Sequence, residues 1–405
     1  MNEDINSKEL LFNKYFQNLL NSSSVKSFEK LVLLSLEHYG YEKEKFFEKE
    51  INFLKMNIEY GFFEDIENSY SLDSIFEYAL IVSILSNKGF LTKFSKALNE
   101  YLYEKTIRVV SSYEKFDRKY FFEIFPIIAK IINFLHDLNF DVTKIKFFLI
   151  NNISFKELEG KTIPKFYIRD IDINFRKKFP KGIIPLGMAH GSLGVLVSLS
   201  NLYKDGDTML YKYIADLFNL YEIFQKKRRF LIYPNFITYD EYYNKEFKVD
   251  NKQFRASWCS GNLITSYSLF KVCNNMGWLE KEKFYYNEVI KLLFSDIKEY
   301  NLQLPIICHG YSFPLILMNK LLRDRLDSYK LYSLDLNKFK NRKMELSYKL
   351  INILEKGDIN FIVEKYFFGD YSFLTGIVGV ILTLIQNEDI FNEDCGYLID
   401  ELLNI

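Results

Sequence analysis

The chain has 405 residues and a formal net charge of zero, because 53 Lys and Arg residues balance 53 Asp and Glu residues. Hydrophobic residues make up 48% of the sequence, which allows a substantial core and excludes an intrinsically disordered protein. Without a basic excess, neither nucleic acid nor an anionic membrane surface is expected as a primary partner.

The start of the chain, MNEDINSKELLF, has acidic residues early and no long apolar run, so no secretion signal is predicted. No segment reaches the roughly 18 uninterrupted apolar residues that a membrane-spanning helix requires. A soluble, cytoplasmic protein is therefore expected. No Ser-, Gly- or Pro-rich linker divides the sequence, and residues 1–405 are predicted to form one domain.

Two apolar segments, residues 71–85 and 122–135, are fainter copies of a repeat that is clearer later in the chain, and neither keeps its glycines. Four later segments resemble one another and indicate an internal repeat. They read AHG, WCSG, ICHG and FLTG, and their final glycines, here called the register glycines, are Gly191, Gly261, Gly310 and Gly376. The spacings of 70, 49 and 66 residues leave room for an inner helix, a return helix and loops in each repeat.

The runs that follow the register glycines predict buried helices. Residues 195–200, VLVSLS, are apolar on nearly all sides, which is typical of a helix covered on every face. With the two earlier segments there are about six such units. They predict an all-α fold in which an inner barrel of helices is wrapped by an outer ring. Strand signals are weak, and the best candidate, within residues 228–248, is interpreted as a loop or a short hairpin.

Candidate metal ligands stand just before the register glycines of two adjacent repeats. Cys259 precedes Gly261, and Cys308 and His309 precede Gly310. Equivalent positions in a ring of repeats converge on one end of the barrel. Two thiolates and one imidazole suit a single zinc ion, with a fourth position left for water or substrate. The alternative is that both cysteines are core residues, since cysteine is among the most buried residue types.

Two further side chains are candidates for catalysis. His190 precedes Gly191, where a histidine can transfer a proton near neutral pH. The alternative is a core histidine bonded to a loop carbonyl. Arg255 lies four residues before Cys259 and could hold an oxyanion or pair with a surface acid. The remaining cysteines and histidines lie outside the repeat positions and are predicted to be structural: Cys273, Cys395, His38 and His136.

These segments resemble the lanthionine synthetase C (LanC) cyclases of lantibiotic biosynthesis. The resemblance rests on AHGxxG from Ala189, RxxWCxG from Arg255, CHG from Cys308 and SFLxGxxG from Ser372, all in the order of the family. Each motif is weak alone, but four in order are specific, and they cover about the C-terminal half. The resemblance implies an α/α toroid, a double ring of about seven inner and seven outer helices, with zinc held by the three ligands named above.

The sequence departs from the family in three places. The early glycines are missing, so about residues 1–150 diverge. An acid in the second repeat of the family, usually Asp, aligns with Glu123, and Asp117 is the less favoured candidate. The tyrosine that is common after the zinc cysteine is Ser260 here. These changes leave the zinc ligands in place.

The resemblance implies that Cys thiolates of a dehydrated precursor peptide add to dehydroalanine or dehydrobutyrine. His190 would transfer the proton, Glu123 would orient or assist it, and Arg255 would steady the enolate oxygen. The implied partners are the precursor, a dehydratase and a transporter, a complex that would bring the protein to the membrane periphery. Two alternatives stay open: a prenyltransferase-like zinc enzyme that activates a peptide thiol, and a non-catalytic peptide-binding scaffold.

Overall fold

The computed structural model describes residues 18–20, 22–36, 52, 56, 69–112, 121–158, 160–169, 173–249, 254–327, 335–388 and 393–405. These residues are mostly helical. The α-helices are α1 Ser27–Leu36, α2 Ser69–Asn87, α3 Thr92–Ser112, α4 Phe121–Asp137, α5 Thr143–Ile153, α6 Ile173–Lys178, α7 Ser192–Asn201, α8 Thr208–Ile223, α9 Tyr239–Asn244, α10 Asn262–Asn275, α11 Leu279–Leu293, α12 Ser312–Asp327, α13 Leu336–Leu354, α14 Ile359–Phe367, α15 Ile377–Glu388 and α16 Glu393–Leu403. None of the described helices is both long and apolar enough to span a bilayer.

The strands are short and form antiparallel pairs. They are β1 Phe155–Leu158 with β2 Lys161–Pro164, β3 Ile183–Pro185 with β6 Phe236–Thr238, and β4 Lys226–Lys227 with β5 Leu231–Ile232. The predicted loop or short hairpin in residues 228–248 contains β5 and β6, and also helix α9. A capping box begins that helix: the Thr238 side chain accepts from the Glu241 backbone, and the Glu241 carboxylate accepts from the Thr238 backbone.

The chain divides into two compact units. One comprises Met1–Asp65, Glu77–Ser95 and Leu302–Asp400, and the other comprises Ile66–Phe76, Lys96–Asn301 and Glu401–Ile405. That residues 1–405 form a single domain stays a prediction.

In the second unit, helices buried on all sides alternate with amphipathic ones. Helix α7 packs on α4 and on α10, and each residue from Ser192 to Ser200 is buried. Helix α8, which packs on α7, buries residues three or four positions apart, such as Leu210, Ile214 and Leu217. This contrast confirms the predicted alternation of inner and return helices, because a helix with a polar face needs solvent on that side.

The first unit repeats the same arrangement. Helix α12 packs on α15 and on α13. The segments 312–319 of α12 and 377–384 of α15 are buried on every face, whereas α13 buries one side only. The apolar runs that follow the last two register glycines therefore form inner helices, as predicted.

Candidate metal centre and active site

The four register glycines occupy the same kind of tight loop. A Cβ atom at each of them would meet backbone four residues earlier: 2.4 Å from the Gly187 nitrogen for Gly191, 2.6 Å from the Ser257 oxygen for Gly261, 2.4 Å from the Ile306 oxygen for Gly310, and 2.2 Å from the Ser372 nitrogen for Gly376. The φ angles of Gly191 and Gly261, −161° and −156°, are those of ordinary extended backbone. Glycine is required here because the backbone folds back on itself, and not because of a left-handed conformation.

A backbone hydrogen bond closes three of these four loops in the same way. The backbone N–H after the glycine donates to the carbonyl seven residues earlier: Asn262 to Arg255 at 2.8 Å, Tyr311 to Leu304 at 2.9 Å, and Ile377 to Asp370 at 3.3 Å. In the first loop, Ser192 makes the corresponding bond through its hydroxyl, which donates to the Pro185 carbonyl at 3.4 Å. The repeated loop explains why residues that precede a register glycine are presented in the same way at the start of an inner helix.

The loop that carries Cys259 is tied down on both sides of the cysteine. The indole N–H of Trp258 donates to the Leu403 carbonyl at 3.0 Å, and the Ser257 hydroxyl donates to the Ser260 carbonyl at 3.1 Å. The carbonyl of Cys259 accepts from the backbone of the neighbouring loop, at 3.0 Å from Met188 nitrogen. The Cys259 side chain is half-buried, and the hydroxyl of Ser260 lies 3.8 Å from its sulfur.

The loop that carries Cys308 and His309 lies against the loop before the last register glycine. The backbone N–H of Cys308 donates to the Leu374 carbonyl at 3.0 Å. Both residues are only partly buried. The role of the Leu374 carbonyl could not be predicted from sequence, because any residue supplies a backbone carbonyl.

The two cysteines and the histidine form a group that could hold a metal ion. One sulfur of Cys259, one sulfur of Cys308 and one ring nitrogen of His309 all lie within 4.8 Å of one another. A tetrahedral zinc ion with bonds of about 2.0–2.3 Å separates its ligand atoms by roughly 3.3–3.8 Å. The three ligand atoms would therefore fit zinc if they moved slightly closer to one another. Within the described part of the chain, no other group of three or more Cys, His, Asp or Glu side chains meets this distance limit.

His190 has an exposed side chain at the edge of a small, mostly apolar pocket, which is not the setting of a core histidine. Phe125 and Pro126 of α4 line the same pocket, together with Ser192 and Val195 of α7. Glu123 lies in α4 two residues before Phe125, but its side chain is outside the described residues.

The side chain of Arg255 is exposed and forms no ion pair with any described residue, while its carbonyl closes the second repeat loop. Asp117 lies outside the described residues, as does His38. Catalytic roles for His190, Arg255 and Glu123 therefore stay predictions.

The other two cysteines differ clearly from Cys259 and Cys308. Cys273 and Cys395 are fully buried, and burial raises the pKa of the Cys273 thiol well above its ordinary range. His136 is partly exposed, with a ring nitrogen 3.4 Å from the Asp137 carboxylate. These environments are those of core and surface residues.

By its fold and this group of side chains, the protein is of the class built from repeated helical hairpins. It has a candidate metal centre of two cysteine sulfurs and one histidine imidazole. The family model for "Lanthionine synthetase C-like protein" matches residues 158–392, more than half of the chain, and the chain belongs to this family. No curated protein matches the sequence.

Among solved structures, nisin cyclase matches with a TM-score of 0.70 and 19% sequence identity, over 100% of this chain and 99% of that chain. At this identity the likeness speaks for the fold, and it confirms the all-α, α/α toroid class. Membership of the lanthionine synthetase C-like family supports a lanthionine-type cyclase.

Proposed function

We propose that this protein is a zinc-dependent peptide cyclase that forms lanthionine and methyllanthionine thioether rings. Its substrate would be a dehydrated precursor peptide with Cys thiols and dehydroalanine or dehydrobutyrine residues. One observation carries the proposal: in a member of the lanthionine synthetase C-like family, two cysteine sulfurs and one histidine ring nitrogen lie within 4.8 Å of one another.

Cys259, Cys308 and His309 would hold the zinc ion, one per chain. All three residues are only partly buried, and three protein ligands would leave the fourth position of a tetrahedral zinc ion for water or substrate. A bound zinc ion lowers the pKa of a coordinated thiol, whose ordinary value of about 8.5 leaves it mostly protonated at neutral pH. The protein then contributes the geometry and the proton transfer.

In the proposed reaction, a bond forms between the sulfur of the precursor cysteine and the β-carbon of the dehydrated residue. The carbon–carbon double bond becomes a single bond, and the α-carbon takes a proton. The mass of the peptide is unchanged, because the proton lost from sulfur balances the proton gained by carbon. His190 is the proposed proton donor, since its exposed imidazole is free to meet a substrate.

Arg255 and Glu123 have supporting roles in the proposal. The exposed guanidinium of Arg255 has no ion-pair partner among the described residues and can steady the enolate oxygen during addition. Glu123 is placed in the first turn of α4, whose Phe125 and Pro126 border the His190 pocket, so it is the preferred acid to orient or assist the proton transfer.

The test measures bound zinc and ring formation in the same set of variants. Wild type is expected to bind close to one zinc per chain, and Cys259→Ala, Cys308→Ala and His309→Ala to lose most of it. Cys273→Ala, a buried cysteine outside the group, is the matched control and should keep it. His190→Ala should keep zinc but stop the loss of free thiols in a dehydrated peptide of unchanged mass.

Zinc retained in all three ligand variants would refute the metal assignment. Full ring formation by His190→Ala would remove His190 from the mechanism. Peptide binding without any thiol loss would favour the scaffold alternative, and prenyl transfer to a Cys-containing peptide would favour the prenyltransferase alternative. A dehydratase and a transporter remain the proposed partners, with a location at the membrane periphery through that complex.

A further inference from the structure

We propose that Asp370 is a positioning residue for the metal ligand Cys308, and acts by fixing the carbonyl that accepts the Cys308 backbone N–H. This inference rests on the proposed function, since it treats Cys308 as a zinc ligand. It concerns a residue outside the stretches that carry the family resemblance, and it assigns Asp370 no contact with substrate or metal.

The carboxylate of Asp370 organises the loop of residues 370–376 from within. One carboxylate oxygen accepts from the Ser372 backbone N–H at 2.7 Å, and the other accepts from the Thr375 hydroxyl at 2.5 Å. The Ser372 and Thr375 hydroxyl oxygens are 3.0 Å apart, and the Gly376 N–H donates to the Ser372 carbonyl at 3.0 Å. Both ends of the short segment 372–375 are thereby tied to one carboxylate.

Leu374 lies inside that segment, and its carbonyl is the acceptor for the Cys308 N–H at 3.0 Å. A rotation of the Leu374 peptide unit would turn the carbonyl away from Cys308. Because the residues on both sides of Phe373 and Leu374 are bonded to Asp370, such a rotation is resisted. The position of the Cys308 backbone therefore depends on a side chain 62 positions later in the chain.

Comparison with the other repeat loops distinguishes the positioning role of the Asp370 carboxylate from simple closure of its loop. The residues equivalent to Asp370, six positions before a register glycine, are Pro185, Arg255 and Leu304. The carbonyls of Arg255 and Leu304 accept the closing bond just as the Asp370 carbonyl does, although the side chains of these two residues carry no carboxylate. A carboxylate is thus not needed to form the loop. It is present in the loop whose carbonyl contacts a proposed metal ligand.

The charge of Asp370 supports the same conclusion. Partial burial disfavours its charged form, but hydrogen bonds from Thr375 and Ser372 outweigh burial and hold the pKa of this carboxyl below its ordinary value. Hydrogen bonds to an ionised acceptor are stronger than neutral ones. The loop is consequently stiffer than one held by backbone bonds alone.

The experiment compares Asp370→Ala with Asp358→Ala, using the full-length protein and Zn²⁺ in competition with a chromophoric chelator. Asp358 is in the same unit and caps α14 by accepting from Phe361 nitrogen at 3.0 Å, so its loss costs stability without touching the proposed centre. We expect Asp370→Ala to weaken zinc binding about 10- to 100-fold, the usual effect of removing a group that orients a metal ligand, and Asp358→Ala to leave it unchanged. The visible spectrum of Co²⁺-substituted Asp370→Ala should also shift.

Unchanged zinc affinity and an unchanged Co²⁺ spectrum in folded Asp370→Ala would overturn this inference and leave the proposed function intact. If the wild type bound no zinc, the proposed function and this inference would fail together. If Asp370→Ala does not fold, Thr375→Val is the second variant, because it removes one donor to the carboxylate at nearly constant volume. It should weaken zinc binding by a smaller factor, and full wild-type affinity in that variant would overturn the inference.

Discussion

The indole N–H of Trp258 donates a hydrogen bond to the carbonyl of Leu403 at 3.0 Å, although 145 residues separate the two in the chain. Both residues are buried. Trp258 directly precedes Cys259, so a contact with the last helical turn of the chain holds the backbone next to a proposed metal ligand. This bond gives a physical reason for a tryptophan beside the cysteine in the RxxWCxG stretch.

Trp258→Phe is expected to lower the free energy of unfolding by about 1–3 kcal/mol, because the buried Leu403 carbonyl loses its partner. Urea unfolding measures the change. The matched control is Trp278→Phe, since the Trp278 indole N–H donates to no described residue, so this substitution removes similar atoms without a hydrogen bond. Equal losses in the two variants would show that the bond to Leu403 contributes nothing specific.

Gly376→Ala is expected to cost several kcal/mol of stability or to prevent folding. Its Cβ would lie 2.2 Å from the Ser372 nitrogen, and rigid backbone cannot yield to that contact. Gly206→Ala is the control: Gly206 has a φ of +95° but open space around its Cβ, so it carries backbone strain of about 1–2 kcal/mol and no collision. Thermal unfolding that ranks Gly206→Ala as the more damaging change would contradict the steric account of the register glycines.

The native protein without metal is expected to show two fast-reacting thiols among its four cysteines. Cys259 and Cys308 are half-buried, whereas Cys273 and Cys395 are fully buried, and the raised pKa of Cys273 further suppresses its reactive thiolate. A colorimetric thiol reagent with mass mapping of the labelled sites measures this. Added zinc should protect both fast thiols together. Protection of neither would argue against a shared metal.

Glu29→Gln is expected to change how stability depends on pH. Burial raises the pKa of the Glu29 carboxyl above its ordinary value of 4.5, despite hydrogen bonding that lowers it. The cost of an acid with a raised folded-state pKa begins as pH rises through the ordinary pKa and is complete above the raised pKa, and it is absent below the ordinary pKa. The variant should therefore be more stable than wild type at neutral pH.

The difference in unfolding midpoint between wild type and Glu29→Gln should shrink as pH falls toward 4.5. Thermal unfolding at a series of pH values from neutral to acidic measures it. Glu157→Gln, at an exposed carboxylate, is the control and should give parallel curves. Parallel curves for Glu29→Gln as well would show that burial does not perturb this carboxyl.

Several features of the structure, local and non-local, lay beyond sequence reasoning. The β1–β2 hairpin at residues 155–164 was not predicted, because its strands are only four residues long and lack clear alternation. The pairing of β3 with β6 joins segments more than 50 residues apart. The Leu374 carbonyl and the Leu403 carbonyl carry no sequence signal, since every residue has the same backbone group.

The sequence by itself determined the inner helices and the loops before them. An apolar run, and a glycine with no room for a Cβ beside nearby backbone, are both local features. The start of each inner helix could therefore be recognised in the sequence from its register glycine: Gly191, Gly261, Gly310 and Gly376. Only the tertiary structure decided which distant groups meet. The approach of Cys259 to Cys308 and His309 depends on packing over 49 residues, and hydrogen bonds to backbone acceptors are selected by geometry and not by residue type.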